Sequence, residues 1–516
     1  MDGIELELIW SSIRGIATEH AKAMQRTAFS PVVREAGDLA FALFDAQARM
    51  IAQADTGTPG HINCLAFTCK FLAQKFVEQI QPGDVLVTND PWNGAGHFWD
   101  ITVITPVFEK ARLIGFVGST NHHTDIGGLG VGVAAKDVHE EGLWIPPAKL
   151  YSAGEPNGVL HDVIRHNVRT PDYIFGDLAA QVASTRAAGE AIIELCRRHD
   201  FNNIDIVSDE IIRRSEAAMR KAIRACPAGT WIGETTFDIS TGTPVTLRAE
   251  VTIDTDRGDV VIDFAGSSAQ VNEGVNVVLN YTHAYATFTI RSCLTPELPN
   301  NAGSLAPIKV KAPEGCILNC RYPAPVAARH VVGMCVPMPI LKALYNAIPT
   351  RVLSEGPGAV WSAQVIGTRG DGHPFVSSQF AFAGGMGARA EKSGPNATCY
   401  PTGTGATPLE ILEIETPILF RRREIRRGSG GKGRSKGGDG QIIEFQVDTE
   451  RSWTLNAAPA GIDFAADGLA GGEPGRTGIF RVNGADRRDN GKTVMNPGDL
   501  VHMETPGAGG FGSTKE

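Results

Sequence analysis

A chain of 516 residues with 42% hydrophobic and 20% charged content has the makeup of an ordinary globular protein, long enough for about two to four domains. A formal charge of −9 argues against nucleic acid as the main partner, and nine scattered cysteines, an odd number, argue against a secreted disulfide framework. No window reaches roughly 18 uninterrupted apolar residues, and the start Met1-Asp2 with Glu5 and Glu7 lacks the basic opening of a signal peptide, so the expected location is the cytoplasm.

Residues 4–28 predict a helix, with Ile9, Ile13, Ile16, Ala17 and Met24 at helical spacing and Ser30-Pro31 ending it. Leu39–Phe44 and Arg49–Gln53 read as strands on either side of Asp45-Ala46-Gln47. His61 follows Thr-Gly-Thr-Pro-Gly and precedes a predicted helix over Leu65–Gln79, where a lone histidine reads as structural. Pro82-Gly83-Asp84 turns the chain into a strand at Val85–Thr88.

The stretch 89–128 comes next. It reads Asn-Asp-Pro-Trp-Asn-Gly-Ala-Gly-His-Phe-Trp-Asp, two hydrophobic runs, then Thr-Asn-His-His-Thr-Asp-Ile-Gly-Gly. Ile101–Phe108 is β-branched, Leu113–Ser119 suits an extended strand, and the four residues between them have the length of a hairpin connection. A turn centred between Lys110 and Ala111 pairs Trp99 with His122 and Asp100 with Asn121. Opposed residues have Cβ atoms roughly 5 Å apart, so His97 and Asp100 arrive beside His122 and His123 at the open end. Two imidazoles and a carboxylate suit zinc, manganese or ferrous iron. The same residue types also cap backbone groups in ordinary loops. Glycines 94, 96, 127 and 128 suit a place where backbone passes close to a ligand.

Beyond it, Gly130–Ala135 fits G-x-G-x-x-A but lies between no clear strand and helix, and reads as a flexible loop. Glu140-Glu141-Gly142 supplies clustered acids, read as solvated loop, before a short strand at Lys149–Tyr151. Helices are predicted over 171–198 and from about 205 to 224. Thr230–Phe237, Thr246–Ile253 and Val260–Phe264 form a sheet-rich segment with a turn at Asp256–Asp259, followed by a return to helix over 275–292. Cys316, Cys320, His330 and Cys335 lack a C-x-x-C pair and read as buried small residues, not a zinc site. Ala327–Ile348 predicts one helix.

The last third is strand and turn, and Gly384-Gly385-Met386-Gly387 could bring backbone near a ligand. Arg421–Lys436 packs eight basic residues among glycines, either an anion site or a solvated mobile loop. Neither Gly-Lys pair makes a nucleotide loop. The expected architecture is α+β, mixed and multi-domain, β-rich with long helices in the N-terminal part and mid-chain. Its expected divisions are 1–228 with the metal site, a β-rich 229–326, and an α+β 327–516 with glycine-rich loops.

Asn89-Asp90-Pro91, the Gly-His-x-x-Asp-Ile-Thr that follows and the downstream His-His-Thr-Asp-Ile-Gly-Gly resemble the hydantoinase B family. That family takes in B-type subunits of ATP-dependent N-methylhydantoinases and lactamases, the matching half of 5-oxoprolinase, and acetone and acetophenone carboxylase subunits. The likeness continues through Thr27–Pro31 with Arg34-Glu35 and Asp38, Pro323–Val326 with Ala328-Arg329-His330, Gly428–Gly431 with Gly437–Gly440, and Thr505–Gly512. It implies one divalent transition metal (Zn, Mn or Fe) on His97, Asp100 and His122. It also implies an A-type partner subunit with an actin-like ATPase fold that binds the ATP, in a hetero-oligomer. Phe98-Trp99 departs from the smaller or proline-containing pairs of many relatives.

In the implied scheme the partner phosphorylates a cyclic amide. A metal at His97, Asp100 and His122 lowers the pKa of a water to roughly 7 for attack on it, and His123 or Asp125 passes a proton to the leaving nitrogen or supports His122. Two other readings stand beside this hydrolase: a carboxylase subunit acting on an activated ketone, and a non-catalytic structural subunit.

Overall fold

In the computed structural model, which describes residues 3–201, 204–239, 241–358, 360–488 and 491–514, helix α1 (Gly3–Thr27) buries Leu6, Ile9, Ile13, Ala17 and Met24 along one stripe. Ser30 then caps the short helix α2 (Pro31–Arg34). Strand β1 (Leu39–Asp45) is buried at every position, because it lies inside a sheet covered on both faces. Leu39, Phe41 and Leu43 pack into the core of α1, while Ala40, Ala42 and Phe44 pack into a second core on the other side.

Strand β2 (Met50–Gln53) pairs with β1, and helix α3 (Pro59–Lys75) supplies Ile62, Leu65, Cys69 and Leu72 to the second core. Thr58 caps α3 and puts Pro59 in its first turn, six residues before the expected start, so His61 is helical. Strands β3 (Val85–Thr88), β4 (Asp100–Glu109), β5 (Arg112–His122), β6 (Ala148–Ser152) and β7 (Glu155–Pro156) complete a seven-stranded sheet, ordered β2-β1-β5-β4-β3-β6-β7. Its pairs are all antiparallel. After helix α4 (Gly158–Asn167), helix α5 (Pro171–Arg198) crosses β4 and β5 beside α1, and α6 (Asp205–Arg224) extends that layer.

The expected hairpin forms with a two-residue turn at Lys110-Ala111, and Glu109 pairs with Arg112. A β-bulge between Val107 and Phe108 then shifts the register by one. Asp100 therefore faces His122 and Ile101 faces Asn121, where the uninterrupted ladder predicts Trp99 and Asp100. The shift puts the carboxylate directly across from the imidazole.

A four-stranded sheet follows: β8 (Gly229–Asp238), β9 (Pro244–Asp254) and β10 (Asp259–Asp263) form an antiparallel meander, and β11 (Ile308–Lys311) runs parallel to β10. Between them, helix α7 (Leu279–Leu294) is buried along α3, and α8 (Ala302–Leu305) is a single capped turn. The single helix expected over Ala327–Ile348 is instead two pieces, α9 (His330–Gly333) and α10 (Pro337–Tyr345). Pro337 has no N–H to continue the first piece and its fixed φ suits the first turn of a new one.

The rest is two facing sheets. Strands β12 (Trp361–Thr368), β13 (Pro374–Phe382), β16 (Trp453–Ala457) and β19 (Lys492–Met495) form one, in the order β13-β12-β16-β19. After helix α11 (Leu409–Glu415), β14 (Ile418–Ile425) and β15 (Gln441–Val447) join β17 (Ile479–Val482), β18 (Ala485–Asp486) and β20 (Val501–Glu504) in the other, ordered β14-β15-β20-β17-β18. Trp361, Phe375, Trp453, Phe445 and Met503 fill the space between the two sheets. The segment 421–436 is thus part strand and part of a backbone-bonded layer, in which Gly431, Gly438 and Ala508 exchange amide hydrogen bonds. The glycines at 384–387 do allow a close approach, but to the chain's own backbone: a side chain at Gly385 would collide with the Gly438 carbonyl. Among the described residues no helix is long and apolar enough to cross a membrane.

Candidate metal centre

The site grows from the open end of the hairpin. Asn89 follows β3 and holds the loop it opens, donating to the Phe98 and Leu143 carbonyls at 2.8 and 2.9 Å and accepting from the Ile145 amide at 2.6 Å. Asp90 closes the first turn of that loop by accepting from the Trp92 and Asn93 amides. The loop delivers His97, and β4 begins three residues later with Asp100.

Asp100 is the hub. Its Oδ1 lies 3.0 Å from His97 Nε2 and 3.0 Å from His122 Nδ1, while its Oδ2 lies 3.0 Å from His61 Nε2 and accepts from Arg329 Nη2. All five side chains are buried. Burial disfavours the ionised carboxyl, but His61 and Arg329 outweigh it and hold Asp100 well below the ordinary carboxylate range. Arg329 reaches this point because position 96 is glycine: φ is +92°, and a Cβ there would stand 2.7 Å from Arg329 Cδ. The guanidinium also donates to Ala95 O at 2.6 Å and lies 4.1 Å over the Tyr281 ring.

His97 differs from His61. Burial, reinforced by Arg329, drives His97 down to about 3, so it is neutral. Its Nδ1 carries the hydrogen, because it donates to Ala327 O at 2.9 Å. Nε2 therefore turns a lone pair toward an ionised carboxylate oxygen 3.0 Å away, outside hydrogen-bond alignment. Two electron-rich atoms opposed in a buried place repel unless a cation lies between them. His97, Asp100 and His122 each offer one ligand atom, all within 4.8 Å of one another, and among the described residues they are the one such group of three. Neutral nitrogen with anionic oxygen is the donor chemistry of a divalent transition metal, so the residues fit the ion.

His61 is not a bystander at a helix entrance. Burial disfavours its charged form, but Asp100 and Asp38 more than offset that and raise its pKa. Its Nδ1 faces Asp38 Oδ1 at 3.4 Å. His61, His97, His122, Arg329 and His330 line one pocket together with Asp38, Tyr281, Thr58, Thr402 and Thr404. His330, driven down to about 3 by burial and by the Arg329 guanidinium, sits 3.3 Å from Ser362 Oγ. The cysteines near it in the sequence, Cys316, Cys320 and Cys335, are buried free thiols.

His123 and Asp125 do not join this group. Side chains alternate along β5, so His122 faces α3 while His123 faces α5, where its Nε2 lies 3.4 Å from Gln181 Oε1. Asp125 is bound by Arg169, through the backbone N–H and through Nη1 at 2.7 Å, and accepts from the Gly127 amide. Neither lines the pocket. Conversely, sequence reasoning does not place His61, Arg329 or Asp38 in the site. The usable signal is the position of two of them in the motifs of the family resemblance, Asp38 after Arg34-Glu35 and Arg329 within Ala328-Arg329-His330.

This fold and site define a class. The hydantoinase B/oxoprolinase model matches residues 2–514, and the chain belongs to that family. It is 31% identical over 497 residues to a Pseudomonas sp. (strain NS671) protein named as the putative B subunit of a D-/L-hydantoinase, covering 91% of this chain and 83% of that one. It is 28% identical to 5-oxoprolinase 1 of Arabidopsis thaliana, matching 99% of this chain but 42% of that longer one. Among solved structures, the ATP-dependent caprolactamase of Pseudomonas jessenii superposes with a TM-score of 0.89 at 25% identity, covering 99% of this chain and 91% of that one. Nucleotide-free acetone carboxylase shares the fold, with a TM-score of 0.90 at 19% identity over 99% of this chain and 76% of that one.

Proposed function

We propose that this chain is the metal-bearing subunit of an ATP-dependent cyclic amide hydrolase, opening a hydantoin or lactam ring that a partner ATPase subunit has phosphorylated. The observation that carries it is the lone pair of His97 Nε2 held against Asp100 Oδ1 in a buried, polar pocket. Relatives named as a hydantoinase component, a 5-oxoprolinase and an ATP-dependent caprolactamase support the substrate class. The hydantoinase relative is named as one subunit of its enzyme, which supports a separate partner.

A zinc, manganese or iron ion held by His97, Asp100 and His122 would supply Lewis acidity and charge stabilisation in a dry site. The chain's own residues do the rest. Arg329 keeps Asp100 ionised, Ala327 O keeps His97 in the tautomer that presents Nε2, and Thr58, Thr402 and Thr404 offer neutral hydroxyls to a polar ring. His123 and Asp125 act at a distance in this reading. Gln181, beside His123, donates to the Ile101 and Ser119 carbonyls and so ties α5 to β4 and β5 behind the site.

Metal analysis of the purified chain against His122→Ala tests the ligands, alongside ATP-dependent assays with an A-type subunit on hydantoins, lactams and ketones. The expected result is bound metal in the wild type and little in the variant. Ring opening should fall by roughly 10³-fold or more in His97→Ala, the scale of several kcal/mol of lost charge stabilisation. Full activity of His97→Ala would remove the metal from the chemistry, and bicarbonate-dependent ATP turnover with a ketone would replace hydrolysis by carboxylation. The chain alone, with or without ATP, is expected to leave amides intact.

A further inference from the structure

Glu140 and Glu141 look alike in the sequence, two acids before a glycine. The fold separates them. Glu140 is exposed and accepts from the Lys136 amide at 2.8 Å. Glu141 is fully buried. The segment carrying it is tied to the chain just beyond the hairpin: Leu143 N donates to Ile126 O at 2.8 Å and Leu129 N to Glu140 O at 3.1 Å. A side chain at Gly128 would collide with the Glu141 backbone, so the two stretches lie in direct contact.

From there Glu141 reaches a segment far along the chain. Its Oε1 accepts from both the Val326 and Ala327 amides, the latter at 2.7 Å, while Oε2 has no hydrogen-bond partner among the described residues. Among those residues no cationic side chain pairs with it either. Burial pushes the carboxyl up to about 8, so it is mainly the neutral acid at pH 7. The residue it anchors is the one that holds His97: Ala327 accepts from His97 Nδ1 through its carbonyl. One acid oxygen thus sets two successive amides, and the carbonyl next in line sets a ring.

We infer that Glu141 is a positioning residue for the metal centre, fixing the Ala327 carbonyl so that His97 keeps its hydrogen on Nδ1 and presents Nε2 to the ion. This rests on the metal reading above and adds to it a residue that touches neither metal nor substrate. An outer hydrogen-bond partner of a metal-binding histidine typically changes affinity by about 10–100-fold when lost. Here the partner is a carbonyl whose own position depends on Glu141.

The test measures zinc and manganese affinity of the full chain by chelator competition. It compares wild type with Glu141→Gln, Glu141→Met and Glu140→Ala, each checked for fold by near-ultraviolet circular dichroism. Gln keeps an oxygen for the two amides, whereas Met has similar bulk and no acceptor. Affinity is expected to fall roughly 10–100-fold in Glu141→Met, to stay within about threefold in Glu141→Gln, and to be unchanged in Glu140→Ala. Spectra of ¹⁵N-histidine-labelled apo-chain should show His97 as the Nδ1–H tautomer in wild type and Glu141→Gln, and as a mixture in Glu141→Met.

A folded Glu141→Met that binds metal like the wild type overturns the inference, as does a Glu141→Gln weakened to the same degree as Met. If Glu141→Met does not fold, Glu141→Asp decides. It draws the carboxyl back by one methylene, and wild-type affinity there equally overturns the inference. A wild-type chain that binds neither metal is a separate result, and refutes the metal reading itself.

Discussion

Two regions of this chain concentrate charge among glycines, and they do opposite things with it. At the hairpin end, three imidazoles and a guanidinium converge on the single carboxylate of Asp100 in a buried pocket. Along 421–440, by contrast, the charges are dispersed into ordinary pairs, Arg426 with Glu504 at 2.6 Å and Lys436 with Asp439 at 2.8 Å. The glycines differ in the same sense. Gly96 makes room for a charged side chain, whereas Gly385, Gly430 and Gly507 make room for carbonyls of the chain itself. Glycine signals only that something comes close; what comes close decides whether the place is chemical or architectural.

The sharpest way to break this contrast is to remove the guanidinium. Arg329→Met leaves Asp100 buried with imidazoles only, and should cost about 3–5 kcal/mol in urea unfolding of the metal-free chain, the scale of a broken buried pair. A loss below about 1 kcal/mol would show that the histidines alone satisfy the carboxylate.

The architectural region should respond to volume. Gly507→Ala drives a methyl group into the Ser429 carbonyl, with an expected cost of about 1–3 kcal/mol and no change in metal affinity. If the metal affinity moved as well, the two regions would be coupled.

The smallest effect is electrostatic. Burial disfavours the Asp439 ion, but Lys436 and the backbone amides of Gly430 and Gly428 outweigh it and lower its pKa. A depressed carboxyl contributes stability above its unfolded value, and that contribution is lost as pH falls through the folded value. Lys436 is 44% exposed, so solvent screens much of the pair. Lys436→Ala should therefore cost less than about 1 kcal/mol at pH 7, and the difference from wild type should shrink below about pH 4. A pH-independent difference in thermal unfolding would assign the effect to packing of the lysine stem.

Much of the fold is legible in the sequence because its determinants are local. Helices over 171–198 and 205–224 match α5 and α6, since long periodic stripes with a proline or acid at the start need no distant help. The hairpin is legible for the same reason, its turn lying between strongly extended runs. The bulge after Val107 is not, and one residue of register decides whether Asp100 or Trp99 faces His122. The break between α9 and α10 is hidden as well, because apolar periodicity runs on through Pro337 and Pro339 and masks their effect on the backbone.

The candidate site divides along the same line. His97, Asp100 and His122 sit on one hairpin and the loop leading into it, so spacing and strand pairing bring them to the same end, while the bulge sets Asp100 across from His122. His123 and Asp125 are adjacent in sequence yet belong to other surroundings, because strand alternation sends His123 to α5 and Asp125 is taken by Arg169. His61 and Glu141 carry no local signal of their roles, and Arg329 only its place in a motif of the family resemblance. Arg329 is 229 positions from Asp100, and Glu141 is 186 from the Ala327 amide it anchors.

What the amino-acid order determined by itself was the hairpin, the flanking helices and the gathering of His97, Asp100 and His122 at its open end, since these follow from periodicity and turn chemistry within a few tens of residues. Only the tertiary structure decided that the carboxylate is ionised deep in the core, that one imidazole is neutral and which of its nitrogens is bare. Those states depend on burial and on charges brought in from remote segments, and a desolvated charge answers to its neighbours in space.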